Sequence, residues 1–249
     1  MSSQEVTDRA KSAAAVTASI DAHAPAVSAS IEALFKRVLL KSEAMPDVGF
    51  VLTLFGRVLK ADSAAAVAAD DAHEQEKADD AAPRRARDAS AVEVRDGCTF
   101  ARDSVGTVYG DDALTTLGMA SAPPAVTDGA SLVRWATSAA AKLDDASLKL
   151  PKPLKRGVTV DRGALAEGIR EHLATLTRAL ADVERERREL EGTQAKKNQA
   201  VDRYDGTFAL VANVTSAVLA SAGMPAQAAK VRPSARRPGR VEPSEDPVA

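Results

Sequence analysis

Apolar residues recur in alternating steps of three and four through the second half of this chain: Leu173, Leu176, Leu180, Val183, Leu190, Val201, Tyr204, Phe208 and Val211, continuing through Thr215 to Val218. Such spacing keeps one narrow stripe on one side of a slightly underwound helix, the kind that buries against a partner helix in a coiled coil. Arg187, Gln194 and Lys197 occupy seam positions in its middle. A second stripe runs through Ala91, Val94, Cys98, Ala101, Val105 and Val108, and a third through Phe50, Leu54, Val58, Ala61, Ala65, Ala69 and Ala72. The third is expected to be the packing face of its helix.

These stripes predict an all-α protein. Its expected form is an elongated helical bundle or coiled coil, with two long antiparallel helical segments and several short satellite helices. Two short helices, roughly 3–22 and 26–42, are expected first, divided at Ala24-Pro25 because a proline disfavours α geometry in the residue before it. The apolar face of the second comprises Ile31, Leu34, Phe35, Val38 and Leu39. A long helical stretch follows, from about 47 to 109, with a kink or break at Pro83. Asp112 to Leu117 reads as one short helix, and a stretch capped by Thr127 or Asp128 and reaching about Ala146 reads as another. Two prolines in LKLPKPLKRG impose an extended return. Asp161 then caps a last helix that reaches about Ala222 through two weak points, Gly192 and Gly206.

The segments are therefore 1–45, 46–110, 111–160, 161–222 and 223–249, with Pro233 to Ala249 expected to be mostly disordered. The polar middles of the two long segments either fix their register or point into solvent where the helices splay. Arg187, Gln194 and Lys197 would lie near the charged region from Asp79 to Arg87.

Composition changes the picture in one respect. Apolar residues make up 45% of the 249 and charged residues 27%, but only 3% are aromatic and alanine dominates the rest. Alanine favours helix and buries little area, so cohesion must come from long, close helix contacts. The net charge of −2 hides segregation: six acids lie between Asp70 and Asp80, and Lys230, Arg232, Arg236, Arg237 and Arg240 fall together near the carboxyl end. That basic tail is the most specific interaction feature. Guanidinium forks of this kind bind phosphates or acidic surfaces, or else fold back on the chain's own acids.

Material for chemistry is thin. One cysteine excludes an intramolecular disulfide. Three histidines, His23, His73 and His172, are scattered, and the Asp70, His73, Glu74, Lys77 face supplies Asp-x-x-His only once where a di-metal bundle needs two such motifs. No phosphate loop, dinucleotide fingerprint, nucleophile elbow or zinc-protease motif is present. The start, MSSQEVTDRAKSAAA, lacks the basic and apolar parts of a secretion signal, so a cytoplasmic location is expected. The apolar run Val48 to Leu59 is too short to form a stable membrane span.

The expectation is a non-enzymatic scaffold, adaptor or structural subunit, without cofactor or metal, acting through helix contacts with itself or an assembly partner. Alternatives are a nucleic-acid-associated protein using the tail and the Arg84 to Arg87 cluster, and a membrane-active effector that releases the Val48 to Leu59 segment. In its alanine-rich helical character the chain resembles helical proteins of bacteria, and no motif in it carries a function across.

Overall fold

The computed structural model describes residues 2–242, and among them the chain is all-α. Its helices are α1 (Gln4–Phe35), α2 (Val48–Asp79), α3 (Ala81–Tyr109), α4 (Asp111–Thr116), α5 (Gly129–Asp144), α6 (Arg162–Ser221) and α7 (Pro225–Lys230). They form two compact units: Met1–Glu76 with Leu190–Ala249, and Lys77–Glu189. α6 supplies its carboxyl-terminal part to the first and its amino-terminal part to the second.

In the first unit, α1 and α2 form an antiparallel pair. The Ser3 backbone N–H reaches Asp70 at one end, and the Gly49 N–H donates to Ser28 Oγ at 3.1 Å at the other. α6 runs antiparallel to α2, since Asp62 meets Arg203 and Asp70 meets Lys197. Val16, Ile20, Val27, Leu52, Leu59, Tyr204, Phe208 and Leu219 fill the space between the three helices.

In the second unit, α3 lies antiparallel to α6, with Gly97 against the His172 ring and the Val160 N–H donating to the Tyr109 hydroxyl at 3.5 Å. Val94, Cys98, Val105, Leu132, Leu143, Ile169 and Leu176 form its core. α5 starts where Asp128 accepts the Ser131 N–H at 3.0 Å, and α6 where Asp161 accepts the Ala164 N–H at 3.0 Å; each satisfies an otherwise orphaned first-turn donor.

Proline departs from expectation at Pro25, while the break expected near Pro83 is found three residues before it. The expected break at Pro25 is absent, and α1 is continuous from Gln4 to Phe35. Ala24 and Val27 are buried on either side of the exposed proline, so core packing on both flanks outweighs the one hydrogen bond lost. α1 then stops at Phe35, short of the expected 42, leaving Leu34 and Val38 exposed. The long stretch from 47 to 109 is divided at Asp80, so that Pro83 falls in the first turn of α3, where a missing N–H costs nothing.

The inward face of α2 is also not the expected one. Leu52, Gly56, Leu59, Asp62, Ala66, Asp70 and His73 are buried, whereas Phe50, Leu54, Val58, Ala61, Ala65 and Ala72 are exposed. The inward row carries three polar side chains and the exposed row just named carries none. Their partners on other helices explain the choice, as shown below.

The carboxyl-terminal segment expected to be disordered is ordered over its described part. Val231 is buried in the first core, and residues 232–242 lie back over α1, with the Val241 N–H donating to Ser12 Oγ at 3.3 Å. Pro233 and Val241 form an isolated antiparallel bridge. Residues 243–249 of that expectation lie outside the described residues. Gly239 has φ +69, and a Cβ there would enter the space held by the Asp205 carboxylate and sit 2.9 Å from the Tyr204 ring, so glycine is required at this close approach.

The two faces of α2 should respond oppositely to truncation. Leu59→Ala, at a fully buried position, should cost about 2–5 kcal/mol in chemical denaturation, whereas Leu54→Ala should cost well under about 1 kcal/mol.

Candidate interaction surfaces

The α6 seam faces other helices of the same chain. Leu173 and Leu176 are buried in the second unit, with Leu180 packed against that core, and Val183 is half-buried. In the first unit Tyr204, Phe208 and Val211 are buried, Val201 packs against them and Leu190 is half-buried. Tyr204 and Phe208 rings stack at a 5.7 Å centroid separation, tilted by 32°. The α3 seam is likewise buried from Ala91 to Val105.

Buried polar pairs link the three long helices of the first unit. Arg9, 6% exposed, forks onto Asp205 with Nε at 2.8 Å from Oδ1 and Nη2 at 2.9 Å from Oδ2, while its Nη1 reaches Glu5 at 2.6 Å. The hydrogen bond to Asp205 raises the Arg9 pKa further, and the guanidinium holds the Glu5 carboxyl below its ordinary value. The Tyr204 hydroxyl lies 2.7 Å from the Arg9 carbonyl oxygen and 3.0 Å from that of Gly239, so its single proton serves α1 and the carboxyl-terminal strap together. Burial pushes the Tyr204 pKa up, which keeps that proton in place.

Two aspartates of α2 make corresponding links. Asp62 takes the Arg203 Nε at 3.0 Å and the Thr207 hydroxyl at 2.6 Å. Asp70, with no exposed surface, pairs with the Lys197 ammonium and accepts the Ser3 backbone N–H. Burial alone would raise the Asp70 pKa, but the hydrogen bonds from Lys197 and Ser3 outweigh it and hold the carboxyl below its ordinary value. One turn further, His73 Nδ1 lies 3.2 Å from the Thr193 hydroxyl. Lys197 therefore does anchor a seam interruption, but on Asp70, not on the expected region from Asp79 to Arg87.

Sequence reasoning did not single out Arg9, Asp62 or Asp205. The available signal was positional: Arg9 stands between Val6 and Ala13 on the apolar side of α1, and Asp62 between Leu59 and Ala66 on that of α2.

Of the five tail cations, Lys230, Arg232, Arg236 and Arg237 are exposed. Arg240 is half-buried and bonds Asp8 at 3.0 Å. The tail thus folds onto α1, and the acids that receive it are not those between Asp70 and Asp80.

Cys98, His73 and His172 each have structural neighbours that account for them. Cys98 is fully buried among apolar neighbours, and burial pushes its thiol pKa up to about 12. His172 Nδ1 sits 3.8 Å from Glu93, and His73 is taken by Thr193. An open groove of about 620 Å³ between α1 and α2 is lined by Ala10, Ala13, Ala14, Thr17, Gly56 and Lys60, among others. Such small side chains offer little apolar area to a bound molecule.

What does stand out is apolar surface. Phe50 (54%), Val51 (47%), Leu54 (40%) and Val58 (49%) are exposed along α2, and Phe100 (66%) and Val92 (45%) along α3. No described helix is long and apolar enough to cross a membrane. The chain matches no protein-family model, no curated protein and no solved structure.

Acid should weaken the first unit through Asp70. Its folded-state pKa is lowered, so its contribution is present above the unfolded value and is lost as pH falls below about 4. Asp70→Asn should therefore be less stable than wild type near neutrality and should show a shallower loss on acidification, read from urea midpoints across pH. Cys98 should resist thiol reagents in the folded protein at neutral pH and react fully in denaturant; rapid labelling of the native protein would contradict its placement.

Proposed function

We propose that this protein is a helical interaction subunit, a scaffold or adaptor that binds other protein helices through the apolar faces its own packing leaves outside. The observation that carries the reading is the row of large apolar side chains on α2, Phe50, Val51, Leu54 and Val58, on a helix whose opposite face is already buried. Contiguous exposed apolar area rimmed by polar residues is characteristic of protein contact sites. Exposed Phe100 and Val92 extend the same character to α3. The buried ion pairs support it as well, since they hold α1, α2 and α6 in one arrangement and so present the outer face rigidly.

A second reading, nucleic-acid binding through the tail, is favoured by the exposure of Lys230, Arg232, Arg236 and Arg237. Its test is Arg236→Gln with Arg237→Gln. Truncation after Gln227 is unsuitable, because it would strip Ala228 and Val231 from the core. On this reading the double variant should shift log affinity against log salt by about 0.9 per lost phosphate contact on duplex DNA.

A photo-crosslinking residue placed at Phe50 or at Phe100 and activated in the native cell should give discrete adducts with protein, while the same residue at exposed Lys11 should not. In purified mixtures with the captured partner, Phe50→Ser or Phe100→Ser should lower affinity by about tenfold or more, with the thermal midpoint unchanged. Adducts that disappear on nuclease treatment, or none at either position, would overturn the reading.

A further inference from the structure

The outward face of α2 is more regular than its inward one. Val51, Leu54, Val58, Ala61, Ala65, Ala68 and Ala72 follow strict steps of three and four over three heptads, every one is apolar, and every one is exposed. The inward face, with steps of four, three, three, four, four and three, holds Asp62, Asp70 and His73. An uninterrupted apolar heptad is what a helix presents to another helix in a coiled coil.

We propose that this seam is a homotypic interface, on which a second copy of the chain docks antiparallel about a twofold axis near Ser63. The inference rests on the interaction-subunit reading and names its partner. Two features of the seam select a second copy in that direction.

The first is side-chain size. Larger residues occupy the amino-terminal part of the seam and alanines the remainder. Antiparallel pairing about Ser63 lays Leu54 against Ala72 of the second copy, Val58 against Ala68, and Ala61 against Ala65. Large meets small in the two outer layers and alanine meets alanine beside the axis, so the axes can stay at a close spacing. Parallel pairing would set Leu54 on Leu54 and Ala72 on Ala72, forcing the helices apart at one end and leaving a gap at the other.

The second feature is charge. Exposed Arg57 precedes the Val58 layer and exposed Asp71 precedes the Ala72 layer. In the antiparallel arrangement these flanking positions meet across the interface, so each Arg57 faces Asp71 of the other copy, twice by symmetry. The Asp71 carboxylate also accepts the Ser2 hydroxyl at 2.9 Å, which leaves it at the surface of the pair. Parallel pairing would instead bring Arg57 towards Asp62, already committed to Arg203 and Thr207, and Asp71 towards Glu76 of like charge. An isologous contact of this kind closes on itself and gives a dimer. Its length of about three heptads, mostly alanine, puts it at the low end of interface sizes, below about 1,200 Å² in total. The dimer is accordingly weak and concentration-dependent.

The test combines mass and register. Light scattering and sedimentation of the full chain should show the mass rising with concentration from 25.9 kDa towards twice that value. Ala61→Glu, which puts a carboxylate beside the twofold axis, should weaken association by about tenfold or more while leaving helicity and thermal midpoint unchanged. Arg57→Asp and Asp71→Arg should each weaken it, and the two together should restore it. Under mild oxidation, Leu54→Cys protein should crosslink to Ala72→Cys protein in preference to itself.

A monomer at every concentration, association that survives Ala61→Glu, preferential Leu54→Cys self-crosslinking, or lipid-vesicle binding in place of dimerisation would each overturn the inference. A monomer that still forms photo-adducts with another protein from Phe50 would overturn the homotypic partner alone. A monomer without such adducts at either phenylalanine would remove the interaction-subunit reading as well.

Discussion

Buried ion pairs decide which side of α2 faces inward, and the rest of the first unit follows from that choice. A helix rich in alanine offers similar apolar area on several faces, so hydrophobic burial alone discriminates weakly among its rotations. Asp62 and Asp70 break the tie. Each meets a cation from α6, Arg203 or Lys197, and each takes a further hydrogen bond, from Thr207 or from the Ser3 backbone. A charge buried without such partners would cost several kcal/mol, so rotations and registers of α2 that separate these groups are strongly disfavoured. Arg9 and Asp205 do the same between α1 and α6, and the Tyr204 hydroxyl extends the linkage to the strap at Gly239. Ionic groups of this kind act here as a register device, on helices whose side chains are too small to interlock by shape.

The functional reading is the other side of the same constraint. With Asp62 and Asp70 turned inward, α2 turns outward a heptad stripe with no polar residue from Val51 to Ala72, flanked by exposed Arg57 and Asp71. The apolar outer face is the complement of an inner face chosen for its charges. The proposed function rests on surface and rigidity; Cys98 is held in core packing, His73 and Tyr204 in hydrogen bonds to neighbours, and His172 beside a carboxylate.

Much of the fold was legible in the chain. Ala91, Val94, Cys98, Ala101 and Val105 are buried as their spacing indicates, as are Tyr204, Phe208 and Val211, because on α3 and α6 one stripe is clearly more apolar than the alternatives. The all-α architecture and the caps at Asp128 and Asp161 follow local rules that depend on near neighbours alone. α2 was misread because its deciding interactions reach residues more than 120 positions away: Asp70 and Asp62 look like solvent-facing acids until Lys197 and Arg203 are set beside them. Pro25 failed as a helix breaker for a related reason, since Ala24 and Val27 are held by a core that no local rule sees. The strap beyond Val231 was obscured by its proline- and arginine-rich composition, while its anchors are single contacts to Tyr204, Asp8 and Ser12.

The claim on which all of this turns is that α2 buries its aspartate-bearing face and exposes its uninterrupted apolar one. Thiol-labelling rates of single-cysteine variants along α2, measured on dilute native protein, test it directly, with buried Cys98 contributing no signal. The account predicts that cysteines at positions 51, 54, 58, 61 and 65 react nearly as fast as in the unfolded chain, and that those at 52, 59, 66 and 73 are protected by orders of magnitude. Protection at 54, 58 and 61 with rapid labelling at 59 and 66 would contradict it, and would place the apolar seam inside and the aspartates in water.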